Sequence, residues 1–142
     1  MPTENEKKFV LTKMTAEEMQ VFLGGHTAAI SQGYVARDGE TIVRLRAIHD
    51  KFEDTHRCIL TVKCKSGGRV IEIEHDIDQR DFDDMWEMSR IRLRKIRSYV
   101  EDWEVDFFID FDDKIYFIMA EIEMPEGQTH PTTIPSLIKQ HL

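Results

Sequence analysis

One pattern recurs along the chain: two residues of like charge flanking a single residue. It stands at Glu4 and Glu6 (with Lys8 following), Arg44 and Arg46, Lys63 and Lys65, Glu72 and Glu74, Lys95 and Arg97, and Glu121 and Glu123. Glu104 and Asp106 repeat it beside Val105 and Phe107. Between and beside the doublets lie mostly apolar residues such as Val43, Leu45, Val62, Ile71, Ile73, Ala120 and Ile122. A cluster of Arg and Lys suits a compact polyanion, because the guanidinium fork pairs phosphate oxygens two at a time and the ammonium acts as a point charge. A cluster of carboxylates suits a hard divalent cation with oxygen ligands, Mg²⁺ or Mn²⁺. Both together suit a metal–polyphosphate complex and the transfer of a phosphoryl group, which needs charge neutralisation and an aligned nucleophile.

Spacing of i, i+2 places each doublet on one face of a β-strand. The alternation predicts strands at about 3–12, 29–36, 40–48, 56–65, 69–76, 92–101, 103–111 and 114–124. The links Arg37-Asp38-Gly39, Ser66-Gly67-Gly68 and Asp112-Asp113 are turn-like, and short links demand antiparallel hairpins. Thr15 and Glu18 form a capping box that opens a helix over 15–23, stopped by Gly24-Gly25. Asp78 caps a second helix over 78–90, with Phe82, Met85 and Trp86 on one face. A short helix over 134–141 completes an α+β, mainly-β fold with no linker, read as one domain over 1–142. A charged stripe on an antiparallel sheet is ordinarily a solvated face. Like-charge doublets are unusual there, since neighbours repel. An eight-stranded antiparallel barrel turns the same stripe inward and removes the sheet edges.

In that arrangement the lumen gathers Lys8, Arg44, Arg46, Lys63, Lys65, Lys95 and Arg97 against Glu4, Glu6, Glu72, Glu74, Asp106, Glu121 and Glu123. The formal net charge of −8 then lies on the exterior, which argues against long nucleic acids or an anionic membrane surface. No apolar run is long enough for a spanning helix, and the start of the chain is not read as a signal peptide. Cys58 and Cys64 fall about 20 Å apart along one strand, too far for a disulfide. A cytoplasmic location is expected on these grounds. His26, His49, His56, His75, His130 and His141 show no zinc-like spacing and read as ordinary solvated or packed histidines.

The motifs resemble those of the CYTH family, the triphosphate tunnel metalloenzymes. The family's opening Glu-x-Glu-x-Lys stands here as Glu4-Asn5-Glu6-Lys7-Lys8. Val43-Arg44-Leu45-Arg46, Leu60-Thr61-Val62-Lys63, Glu72-Ile73-Glu74, Lys95-Ile96-Arg97, Trp103-Glu104-Val105-Asp106 and Ala120-Glu121-Ile122-Glu123 follow in the family's order. The resemblance implies an eight-stranded tunnel for a linear triphosphate. Lys8, Arg44, Arg46, Lys63, Lys95 and Arg97 would hold phosphate oxygens, with Lys65 beside them. Glu4, Glu6, Glu121 and Glu123 would hold Mg²⁺ or Mn²⁺, with Asp106 close by. Glu72 and Glu74 would either partner the basic residues or back the metal ligands. Lys95 matches a position proposed in some members to activate water, with a metal-bound hydroxide as the competing source of the nucleophile; Lys95, Glu6 and Glu121 are the catalytic candidates. The family's Tyr- and Asn-rich tail is not matched by 134–142, so one tunnel end is expected to be more open. The His-Phe element of class IV adenylate cyclases is also absent.

The expected activity is metal-dependent hydrolysis of tripolyphosphate or a small organic triphosphate. Two alternatives stand beside it. One is a class IV-type adenylate cyclase or a nucleoside or thiamine triphosphatase, for which Tyr34 and Tyr99 could flank an organic group. The other is a non-catalytic polyphosphate or nucleotide binder. Trp86 and Met88 are available to a homodimer, although core packing accounts for them equally well.

Overall fold

The computed structural model describes residues 5–110 and 112–142. Glu4, the first candidate metal ligand, lies outside the described residues. The chain forms β1 (Glu6–Val10), α1 (Ala16–Leu23), β2 (Thr27–Asp38), β3 (Thr41–Asp50), β4 (Thr55–Ser66), β5 (Arg69–Ile77), α2 (Gln79–Trp86), β6 (Ile91–Val100), β7 (Trp103–Ile109), β8 (Ile115–Glu123) and α3 (Ser136–Lys139). All eight strands join one antiparallel sheet in the order β1-β8-β7-β6-β2-β3-β4-β5. The expected mainly-β, eight-stranded antiparallel fold is therefore present, curled into a half-barrel. Among the described residues, β1 and β5 remain edge strands and do not pair with each other, so the ring has a seam.

Alternation decides which face turns inward. On β7 and β8, Trp103, Val105, Phe107, Ile118, Ala120 and Ile122 point outward and join Leu11, Met14, Phe22 and Ile138 in a buried cluster. α1 seals this layer. Its Thr15 side chain accepts from the Glu18 amide while Glu18 Oε1 accepts from the Thr15 amide, the reciprocal capping box the sequence predicts. Phe22 packs on Phe107 with ring centroids 5.8 Å apart, and Ser98 Oγ donates to the Phe22 carbonyl at 3.0 Å. Because the apolar face is covered from outside, the charged face is left to the concave side.

α2 covers the outer face of β2–β4. It ends at Trp86, earlier than the periodicity suggests. The Ser89 hydroxyl and Arg92 both donate to the Trp86 carbonyl, at 2.7 Å each, and this turns the chain into β6. Trp86 stacks on Phe82 at 5.3 Å and lies against Gly33, where an added Cβ would meet Trp86 Cζ3 at 2.8 Å. Trp86 thus serves packing within the chain, while Met88 is exposed. Among the described residues, no helix is long and apolar enough to cross a membrane. Cys58 and Cys64 are free thiols.

Candidate functional site

Strand register groups many of the charges. On β1, β8 and β7 the pairs Glu6↔Glu123 and Glu104↔Glu121 place carboxylates side by side, with Lys8 opposite Glu121. On β3 and β4, Arg44 and Arg46 stand opposite Thr61 and Ile59, and Lys63 lies one step further along. Arg97 of β6 sits between the two blocks, opposite Asp106. The curl carries the blocks toward each other: Lys63 Nζ of β4 lies 3.7 Å from Glu6 Oε1 of β1. Together they enclose a cavity of about 490 Å³ lined by Glu6, Lys8, Arg44, Arg46, Lys63, Glu72, Glu74, Arg97, Glu104, Glu121 and Glu123.

The acidic wall crowds carboxylates together. Burial raises the Glu121 pKa, the hydrogen bond and negative charge of Glu6 raise it further, and it reaches about 7. Burial opposes ionisation of Glu6 as well, but its hydrogen bond with Glu121 and the charges of Lys8 and Lys63 bring it below the ordinary range. The pair therefore shares one proton up to near neutrality, as two adjacent carboxylates do. Such a pair, flanked by Glu104 and Glu123, is a donor set that fits a hard divalent cation, which would take the place of the shared proton.

The basic wall crowds cations together. Arg46 is lowered to about 10 by burial and by the neighbouring charges of Arg44 and Arg97. Its Nε donates to Gln32 Oε1 at 2.6 Å. Among the described residues, Arg44 makes a long ion pair with Glu72, at 3.5 Å, and its buried Nε has no hydrogen-bond partner. The buried Thr61 hydroxyl beside it likewise has no partner among the described residues. Buried donors left unsatisfied are unusual and costly, and phosphate oxygens would satisfy them.

Two of the expected residues lie behind the cavity. Asp106 is buried and fully engaged: Lys95 Nζ donates to Oδ2 at 2.7 Å, Arg97 Nε to Oδ1 at 2.8 Å, and a terminal Arg97 nitrogen to Oδ2 at 3.0 Å. Burial works against its charge, but Arg97 and Lys95 hold it below the usual carboxylate range. Both oxygens are committed, so Asp106 is a counter-ion here and does not present an open metal ligand. Lys95 is 5% exposed, lies over the Phe108 ring at 5.3 Å and does not line the cavity. Burial, followed by the charges of Arg97 and Arg46, lowers it to about 8 despite Asp106. The same carboxylate, with Glu104 at 2.6 Å, raises the Arg97 pKa against the effect of burial.

Lys65 is not brought to the cavity. It is exposed at the far end of β4, opposite Val70 and next to the hairpin turn. Glu104, absent from the sequence-derived lumen, lines it and faces Glu121. Its alternation with Asp106 marks the correct face, but only the register with β8 shows that Glu104 joins the acidic wall. Tyr99 shares the Arg97 face of β6 and packs on His26 at 4.7 Å. His26 in turn contacts the exposed Phe52 at 5.3 Å and pairs with Asp50 at 2.7 Å.

No protein-family profile and no curated protein sequence matches the chain. Solved structures do. The PH1819 protein from Pyrococcus horikoshii OT3 is 17% identical with a TM-score of 0.57, covering 87% of this chain and 80% of its own. A protein described as a "putative adenylate cyclase" from Bacillus halodurans is 13% identical with a TM-score of 0.57, covering 86% of this chain and 80% of its own. At such identity the likeness shows the fold alone, the curled eight-stranded antiparallel sheet.

Proposed function

We propose that this protein is a divalent-metal-dependent triphosphatase that binds tripolyphosphate, or a small organic triphosphate, inside its curled sheet. The observation that carries the reading is one cavity lined by cations and carboxylates together, where the buried Arg44 Nε and Thr61 hydroxyl have no hydrogen-bond partner among the described residues and Glu6 and Glu121 crowd each other. Arg44, Arg46, Lys63 and Arg97, with Lys8 at the rim, would bind the phosphate oxygens and neutralise the charge that spreads over them as the phosphoanhydride bond breaks. Glu6 and Glu121, with Glu104 and Glu123, would hold Mg²⁺ or Mn²⁺. When bound, that ion supplies charge neutralisation and a more acidic water at neutral pH. Asp106 orients Arg97 toward the cavity and fixes Lys95 behind it, so Lys95 adds positive potential to the basic wall. In this geometry Lys95 would need to break from Asp106 before it could take a proton from water.

A second reading has its own observation. Phe52, His26 and Tyr99 form an aromatic group on the strand ends beside Arg97 and Asp50. A planar organic group on a triphosphate could stack there, which favours a nucleoside or thiamine triphosphate, or cyclisation of ATP. The discriminating experiment incubates the purified protein with tripolyphosphate, ATP and thiamine triphosphate in Mg²⁺ or Mn²⁺. Orthophosphate from tripolyphosphate supports the first reading. Cyclic AMP with pyrophosphate from ATP supports cyclisation. Binding without turnover in either metal leaves a non-catalytic polyphosphate-binding module.

A further inference from the structure

Histidines that are unrelated in sequence spacing meet on the outer face of the β3–β4 hairpin. His49 and His56 are cross-strand partners, and their rings stack in parallel, with centroids 4.1 Å apart and planes 8° from each other. The connecting turn returns Asp54 to the same place. Its backbone is left-handed at φ 52, a conformation that Asp adopts more readily than most residues. Asp50 Oδ1 accepts from the amides of Phe52 and Glu53, at 3.0 and 3.1 Å, which holds the turn in shape. Asp54 Oδ1 then lies 3.0 Å from His49 Nε2. One donor atom from each of His49, Asp54 and His56 lies within 4.8 Å of the others.

We propose that His49, Asp54 and His56 form a binding site for a borderline divalent transition ion of the Zn²⁺ type. The donor set, two imidazole nitrogens and one carboxylate oxygen, selects such an ion over Mg²⁺ or Ca²⁺, which prefer all-oxygen shells. Ligands around a tetrahedral ion with bonds of about 2.0–2.1 Å sit roughly 3.3–3.5 Å apart. Rings stacked in parallel direct their lone pairs side by side, so ion binding requires both side chains to rotate until one nitrogen of each faces the ion. The sheet ladder already fixes both histidine backbones, so only the side chains reorder. Water completes the coordination shell, because the site is open to solvent. This centre is distinct from the carboxylate wall. Alternation puts His49 and His56 outside the curl, whereas Glu6 and Glu121 line its inside.

The test titrates Zn²⁺ into the full chain by calorimetry at neutral pH, with excess Mg²⁺ present to occupy hard carboxylate sites. One Zn²⁺ per chain is expected in the micromolar range. His56→Ala and His49→Gln should each weaken it at least about tenfold, while Glu121→Gln leaves it unchanged. Circular dichroism of the two histidine variants checks that the hairpin is intact. Absence of Zn²⁺ binding overturns the proposal. So does binding that survives both histidine substitutions, or binding that Glu121→Gln removes, which would place the ion in the cavity.

Discussion

Replacing Glu121 with Gln should remove a pH-dependent weakness from the metal-free protein. In the folded chain the Glu121 pKa stands at about 7 against an ordinary 4.5, first through burial and then through Glu6. Between those values the folded state holds a proton that the unfolded chain has released. This contribution to stability is therefore fully present below about 4.5 and is lost as pH rises through about 7. At about 1.4 kcal/mol per unit the full gap corresponds to roughly 3 kcal/mol. Glu121 is partly open to the cavity, and solvent screening reduces this to about 1–2 kcal/mol. For a domain of this length that is roughly 2–8 °C in Tm. The assay is a thermal melt of metal-free wild type and Glu121→Gln between about pH 5 and about pH 8. Wild type should lose stability over that interval relative to the variant, and Mg²⁺ should restore most of the loss at the upper end in wild type only. Parallel pH profiles for the two proteins, with no selective rescue by Mg²⁺, would refute the shared-proton description of the acidic wall.

Three further outcomes follow from particular contacts. Asp106→Asn removes the partner of both Lys95 and Arg97 in a buried setting, so denaturant unfolding should show a loss of about 3–5 kcal/mol. Gly33→Ala drives a methyl group into Trp86, and the same measurement should show a loss of about 1–3 kcal/mol. Mg²⁺ affinity, measured by calorimetry, should rise with pH through about 7 as the proton on Glu121 is displaced. It should be nearly flat over the same interval in Glu121→Gln, where that proton is missing.

The strands were legible because alternation is strict where one face is buried. Trp103, Val105 and Phe107 could only point one way, so Glu104 and Asp106 had to point the other. The like-charge doublets identified the cavity face for the same reason. What the linear order does not carry is register and depth. Asp106 and Glu104 share a face, yet one lies opposite Arg97 and is consumed by it, while the other lies opposite Glu121 and remains in the wall. Lys63 and Lys65 share a face too, but β4 runs beyond the cavity and leaves Lys65 in solvent. Lys95 and Arg97 differ in depth by one step along β6. The pairing of His49 with His56 depends on the length and bend of a turn, and Asp54 enters it through a backbone conformation that spacing alone does not show. The seam between β1 and β5 depends on how far the sheet curls, which residue alternation does not encode.

The most direct test of the central claim is calorimetric titration of tripolyphosphate into the wild-type protein and Arg44→Ala, with and without Mg²⁺. One site per chain is predicted in wild type, strengthened by Mg²⁺. Affinity should fall about tenfold to a hundredfold in Arg44→Ala, as expected for losing charge-assisted hydrogen bonds. No binding by wild type, or equal affinity in both proteins, would contradict the assignment of this cavity to a polyphosphate.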